Sequence, residues 1–285
     1  MELFKRLFAK KQPASMSMPT VDPGGQLSLV VGAATHKGRV PDHNEDALFT
    51  LNALLSQEDD LQTLGLYIVA DGMGGHANGE QVSALATRMV ANWILREIYE
   101  PFLADTGRSA NRNPINQVLT EALVAANGQV HEMFPKGGTT LTCAFVLGSN
   151  AFIAHVGDSR AYLINRSSIR QITQDHSLVN RLIELGQLTP EEAKTHPQRN
   201  VLYRAVGRAG NLEVETYLQS LPANSSLLLC CDGLWGMVPE ADILAIVNAE
   251  SSPQAACQRL IAQANENGGE DNITAVLVQV KGRKS

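Results

Sequence analysis

The chain has 285 residues, of which 44% are hydrophobic and 18% charged, with a formal net charge of −6. That length buries a substantial core, and the acidic balance, with no clustered basic face in the body of the chain, argues against a nucleic-acid partner. No run approaches the roughly twenty apolar residues of a spanning helix, and Cys143, Cys230, Cys231 and Cys257 show no metal or redox spacing, so a cytoplasmic protein with core thiols is expected.

Residues 1–11 place Leu3, Phe4, Leu7 and Phe8 on one helical face opposite Lys5, Lys10 and Lys11. Such a tail is either a frayed end or a weak contact for a membrane or partner. Residues 12–26, rich in proline and glycine, read as a linker, so residues 1–26 are set apart from a folded unit at 27–282.

That unit opens with a strand at 27–35 and a loop to His43, followed by Asn44-Glu45-Asp46 and the apolar run 47–49. Residues 66–70 form a buried strand that ends on Asp71, and the glycine-dense run to His76 is a tight loop. Residues 80–99 and 114–134 carry apolar positions at helical spacing, with a polar loop at 101–113 between them. A β meander is expected over 139–147, 151–156 and 161–164. The character then changes to short amphipathic helices over 176–210, an inserted flap with Thr189-Pro190-Glu191-Glu192 as a helix start. Strands at 212–218, 227–231 and 273–280 and helices near 240–247 and 253–265 finish the chain. This order lacks regular βαβ alternation and predicts an α+β fold, a four-layer α-β-β-α sandwich of two packed antiparallel sheets flanked by helix pairs.

The chemistry gathers at strand ends. Apolar runs end on Asp71, Asp158 and Asp232, and two others begin just after Glu45-Asp46 and Glu270-Asp271. Carboxylates brought together at the ends of packed strands repel one another unless cations screen them. A set of oxygen ligands without Cys or His favours Mg²⁺ or Mn²⁺ over Zn²⁺, and several carboxylates in one pocket suggest two ions.

Eight motifs carry a resemblance. They are Asn44-Glu45-Asp46, Asp71-Gly72-Met73-Gly74-Gly75-His76, Gly138-Thr139-Thr140, Val156-Gly157-Asp158-Ser159-Arg160, Asp175-His176-Ser177, His196-Pro197-Gln198-Arg199-Asn200, Cys231-Asp232-Gly233-Leu234-Trp235 and Glu270-Asp271-Asn272. In this order, over residues 28–280, the chain resembles the metal-dependent protein phosphatases of type 2C, the PPM family, and especially its small bacterial phosphoserine/phosphothreonine members. The resemblance implies a centre of two Mn²⁺ or Mg²⁺ ions and hydrolysis by a water that bridges them. Asp71 would bridge the ions, Gly72 would offer its carbonyl to one, Asp232 and Asp271 would bind the other, and Glu45 and Asp46 would hold metal-bound water. Asp158 with Asp232 would match a third, weaker metal site. Asp46, Asp71 and Asp232 are then the residues on which catalysis rests.

The same resemblance implies a monomer in signal transduction whose substrates are phosphorylated proteins, a eukaryotic-type Ser/Thr kinase and its targets among them. Selectivity is expected in the flap. His43, His76, His176, Arg160 and Arg199 are open to catalytic or structural roles, with structural ones favoured. One departure stands out: the phosphate-binding arginine of the family, four residues before the Glu of Asn-Glu-Asp, is Pro41 here. Arg39, two residues earlier, is the candidate to replace it. Met73 stands where many eukaryotic members carry a His, and a thioether cannot donate a proton. A non-catalytic phosphoprotein-binding module and a metal-dependent nuclease are the competing readings.

Overall fold

The computed structural model describes residues 27–57, 60–73, 78–104 and 113–282. The expected tail and linker (1–26) and the loop residues Gly74, Gly75 and His76 lie outside them. In chain order, β1 (Leu27–His36), β2 (Asp46–Gln57) and β3 (Asp60–Met73) are followed by helices α1 (Gly79–Ile94), α2 (Glu100–Leu103) and α3 (Ile115–Met133). Strands β4 (Gly138–Thr139), β5 (Leu141–Leu147), β6 (Asn150–Val156), β7 (Arg160–Ile164) and β8 (Ile169–Gln171) come next. The flap holds α4 (Leu178–Glu184) and α5 (Pro190–Lys194). The remainder is β9 (Glu215–Ser220), β10 (Ser226–Cys230), α6 (Asp232–Trp235), α7 (Glu240–Ala249), α8 (Pro253–Glu266) and β11 (Ile273–Gly282).

Side-chain parity along the strands builds the layers. Successive residues of a strand point to opposite faces, and in β3 Leu64, Leu66 and Ile68 join one apolar cluster with Val82, Ala86 and Val90 of α1 and Leu119 and Leu123 of α3. The alternate residues Tyr67 and Val69 join a second cluster with Leu227 and Leu229 of β10 and Val276 and Val278 of β11. The other parity of those two strands, Leu228, Cys230, Ala275 and Leu277, packs with Cys257 and Leu260 of α8 in a third. Three apolar interfaces separate four layers. Each fully buried Leu or Val in them contributes about 1.5–3 kcal/mol relative to exposure.

The sheets run in the orders β1-β11-β10-β7-β8 and β2-β3-β5-β6-β9, with β4 paired to β3, and their neighbours pair antiparallel. The expected meander is therefore half right. Strands β5 and β6 form a hairpin, but β7 belongs to the opposite sheet, and Gly157-Asp158-Ser159 crosses between the two. Gly157 has φ +111, and a Cβ there would lie 2.5 Å from Thr140 Cβ. Only glycine makes this turn at such close range. Alternation in sequence reports that a strand has a buried face, not which sheet receives it.

Two smaller differences have local causes. The helix expected over 80–99 leaves α geometry after Ile94 and passes through a wider π turn at Leu95–Tyr99. This turn comes just before Pro101, which lacks an N–H and crowds the carbonyl four residues back. The last strand before the Leu227 run begins at Glu215 rather than at 212. In the flap, the Thr189/Glu192 capping box forms as its sequence suggests, and Ser177 caps α4 by accepting the Asn180 N–H.

Candidate functional site

Asp46 opens β2 and lies opposite Asp71 in the register of β3, so the hairpin carries both carboxylates to one end of its sheet. From the other sheet, Asp232 follows β10 and Asp271 precedes β11, adjacent strands that pair Cys230 with Ala275 at this end. Asp158 sits on the crossing between the sheets. Glu45, Asp71, Gly72, Asp158, Asp232 and Asp271 thus line one cleft of about 230 Å³, together with Met73, Thr140, Asn200, Leu202 and Asn272. Asp46 is not part of that lining, yet its charge is felt by Asp71.

The backbone here is held from several directions. Thr140 receives the Asp71 N–H on its Oγ1 at 3.0 Å and returns its own N–H to the Asp71 carbonyl at 2.9 Å. Gly72 donates its N–H to the Glu45 carbonyl, and a Cβ on Gly72 would lie 2.3 Å from the Gly79 carbonyl. The start of α1 is packed against this strand end as closely as glycine allows. Asn272 acts as a clamp: its Oδ1 accepts the Glu45 N–H, and its amide donates to the carbonyls of Lys37 and His43.

A one-way hydrogen-bond chain ends on Asp46. Asn44 donates to Thr35 Oγ1 at 2.8 Å, the Thr35 and Thr274 hydroxyls are 2.8 Å apart, and Thr274 donates to Asp46 Oδ2 at 2.6 Å. Because the Asn44 Nδ2 can only donate and the ionised Asp46 carboxylate only accept, the direction follows. Sequence reasoning passed over Thr35 and Thr274. The available signal was Thr274 inside the apolar run Ile273-Thr274-Ala275-Val276, a hydroxyl that the structure buries fully and that must find a partner.

These carboxylates stand in an environment hostile to their charge. Burial first, then neighbouring carboxylates, push Asp46 up to about 7 and Asp232 up to about 6. Burial and the charges of Asp232 and Asp46 hold Asp71 well above the usual carboxylate range, and burial with the charges of Asp232 and Asp175 does the same to Asp158. Asp46 Oδ1 and Asp232 Oδ1 are buried with no hydrogen-bond partner among the described residues. No Lys, Arg or His is among the described residues lining the cleft.

Orphaned carboxylate oxygens facing like charges are what a divalent cation would satisfy, so the residues fit one. Among the described residues, no three His, Cys, Asp or Glu side chains close around a single point.

The remaining candidates divide clearly. Arg160 grips Asp175 through Nε and Nη2 at 2.7–3.2 Å and stacks 3.6 Å over Trp235, whose Nε1 donates to the Asp158 carbonyl at 3.0 Å. It ties the base of the flap to the crossing loop, the structural role favoured from sequence. His176 is fully buried, accepts the Gly157 N–H on Nδ1 at 3.0 Å and presents Nε2 to Glu215 at 3.2 Å. His43 and Arg199 are exposed. Arg39 is exposed as well. Its N–H bonds to the Gly269 carbonyl at 2.8 Å, its stem passes beside Gly269, and it does not line the cleft.

Comparisons with known proteins find one family. A family model described as protein phosphatase 2C matches residues 31–182 and 214–273. Among curated proteins, the serine/threonine phosphatase Stp of Listeria innocua is 38% identical over 252 residues, covering 86% of this chain and 93% of the relative. The protein phosphatase PhpP of Streptococcus pneumoniae is 35% identical over 221 residues, 75% of this chain and 85% of its own length. Among solved structures, the serine/threonine phosphatase of S. agalactiae is similar with a TM-score of 0.74 at 31% identity, covering 88% of this chain and 99% of that one. The catalytic domain of the phosphatase PstP, solved with two manganese ions, is similar with a TM-score of 0.69 at 29% identity over 90% of this chain and 100% of the other.

Proposed function

This chain belongs to the protein phosphatase 2C family, and from that premise we propose how its own residues perform the family's reaction. It is a metal-dependent hydrolase that removes phosphate from phosphoserine and phosphothreonine in proteins. The observation that carries the reading is the convergence of carboxylates from both sheets on one cleft with no described cationic side chain lining it.

Asp71, at the centre of the group, would be shared between two ions; Gly72 would add its carbonyl, and Asp232 and Asp271 would hold the second ion. Glu45 and Asp46 would order the surrounding water, and Asp158 with Asp232 would form a third, weaker site. Bound there, Mn²⁺ or Mg²⁺ would supply Lewis-acid chemistry, activating water for attack on phosphorus and offsetting charge on the phosphoryl oxygens. The chain's contribution is placement. The Thr274 hydroxyl orients Asp46, Thr140 holds the strand end bearing Asp71, and the Asn272 clamp sets Glu45 against the start of α1. Met73 lines the cleft but cannot protonate the leaving alkoxide, so that proton comes from elsewhere.

Residues 27–282 form the catalytic unit in this reading, and 176–210 its flap. The substrates are phosphoproteins, with a eukaryotic-type kinase and its targets as the expected set, acted on by a cytoplasmic monomer. No helix among the described residues is long and apolar enough to cross a membrane. The test is release of phosphate from an aryl phosphate and from a phosphothreonine peptide, before and after chelation. Activity should vanish in chelator and return with Mn²⁺; full activity in excess chelator would end the two-metal account, and no turnover under any metal would favour a phosphoprotein-binding module.

A further inference from the structure

We propose that Asn200 of the flap is a substrate-contacting residue, whose carboxamide N–H donates to a phosphoryl oxygen in the place left without an arginine at Pro41. The inference deepens the phosphatase reading and rests on it.

The cleft is poor in donors. Of the side chains lining it, those of Glu45, Asp71, Asp158, Asp232 and Asp271 are carboxylates, and Met73 and Leu202 are apolar. The Thr140 hydroxyl is held between the Asp71 N–H and Ser159 Oγ, 2.6 Å away. Both amide protons of Asn272 are committed, to the carbonyls of Lys37 and His43. Asn200 remains. Its side chain makes no hydrogen bond to a described residue, and among the described residues it is the one lining side chain with N–H donors left to give.

A phosphate monoester brings up to two negative charges into this acidic space. Metal ions can face only part of the phosphoryl group, and its remaining oxygens need donors of their own. Pro41 supplies none, and Arg39 lies outside the cleft.

The backbone that follows Asn200 is held in position. The Val201 carbonyl accepts the Leu178 N–H at 2.8 Å, Tyr203 donates its N–H to the His176 carbonyl at 3.0 Å, and Ser177 pairs with Leu202 as an isolated bridge. His176 in turn exchanges two bonds with Gly157: its N–H goes to the Gly157 carbonyl at 2.7 Å, and its Nδ1 accepts the Gly157 N–H at 3.0 Å. Gly157 precedes Asp158. The segment next to Asn200 is thus joined through a few short bonds to the crossing loop that carries a cleft carboxylate, which fixes where the Asn200 donor enters the cleft.

The experiment compares wild type, Asn200→Ala and Asn200→Asp with saturating Mn²⁺ on p-nitrophenyl phosphate and on a phosphothreonine peptide. Inorganic phosphate serves as a product inhibitor. If wild type hydrolyses neither substrate, the phosphatase reading fails before the inference is reached. With wild type active, Asn200→Ala should raise KM about tenfold on both substrates and weaken phosphate inhibition in parallel, while kcat changes less than about threefold. Asn200→Asp should raise KM further, because it sets a negative charge against the phosphoryl group. The residue is exposed, so melting temperatures should match wild type. An unchanged KM on both substrates, a rise confined to the peptide, or a fall in kcat at constant KM would each overturn the assignment.

Discussion

Asp46 and Asp71 are register partners across the β2–β3 ladder, two carboxylates directly opposed on neighbouring strands. Opposed like charges destabilise a sheet, and here burial raises the penalty for keeping either ionised. The hairpin is built for what binds it rather than for its own stability.

Removing one charge should therefore separate activity from stability. Asp71→Asn is expected to lose most phosphatase activity, while in chelator its melting temperature rises by about 2–4 °C, the equivalent of about 1 kcal/mol in a chain of this size. Thermal melts with and without Mn²⁺ decide it. A variant less stable than wild type in chelator would show that Asp71 holds the fold together rather than the ligand.

The outer part of the flap is separable from the part that reaches the cleft. Residues 187–195 contain α5 and its capping box, whereas Asn200 and Leu202 line the cleft. Shortening 187–195 is expected to lower kcat/KM on phosphoproteins several-fold more than on an aryl phosphate. Equal losses on both substrates would assign this segment to support of the metal site.

The loop before Asn44 tests how phosphate is held. Pro41→Arg restores a guanidinium able to grip phosphoryl oxygens, an interaction of about 1.5–3 kcal/mol, and should lower KM by about tenfold with little change in kcat. Arg39→Ala is a sharper question, because Arg39 is exposed beside Gly269. A rise in KM for p-nitrophenyl phosphate would mean that the loop turns this side chain inward when substrate binds; a silent variant would leave phosphate to the ions and the flap.

His155 makes a prediction about pH. It is fully buried, its Nε2 lies 3.0 Å from the Gln174 carbonyl and its Nδ1 lies 2.9 Å from the Thr142 hydroxyl, with His176 and Glu215 nearby. Burial first, and then His176, lowers its pKa to about 3. Between about pH 6.5 and 3 the unfolded chain therefore binds a proton that the native state refuses, so stability falls as pH drops, by up to about 1.4 kcal/mol per unit. His155→Gln should be less stable at neutral pH yet show a shallower acid limb. Parallel denaturant titrations from pH 7 to 4 would reveal it, and an unchanged slope would mean that His155 is charged in the native state.

Much of the candidate site was legible because its carboxylates sit where apolar runs stop. In the sequence, Asp71, Asp158 and Asp232 follow apolar runs and Asp46 and Asp271 come just before them, and a charged residue at the end of a run that must be buried has few places to go. The supports were not legible. Thr274 and Thr35 meet across 239 positions of sequence, Asn272 reaches back to Lys37 and His43, and no local pattern encodes such distances.

By itself, the sequence determined the periodicities, hence which residues form strands and helices and which of their faces must leave water, because these depend on neighbours two to four positions away. It also determined the charges and donors available, including the absence of an arginine at position 41. The tertiary structure alone decided that β7 leaves the sheet of β6 and joins the other, since both choices bury the same alternating face. It alone placed Arg39 outside the cleft and brought Asn200 to it from the flap: the direction of a loop side chain is set by contacts between segments far apart in the chain, here the pairing of Ser177 with Leu202 and of His176 with Gly157.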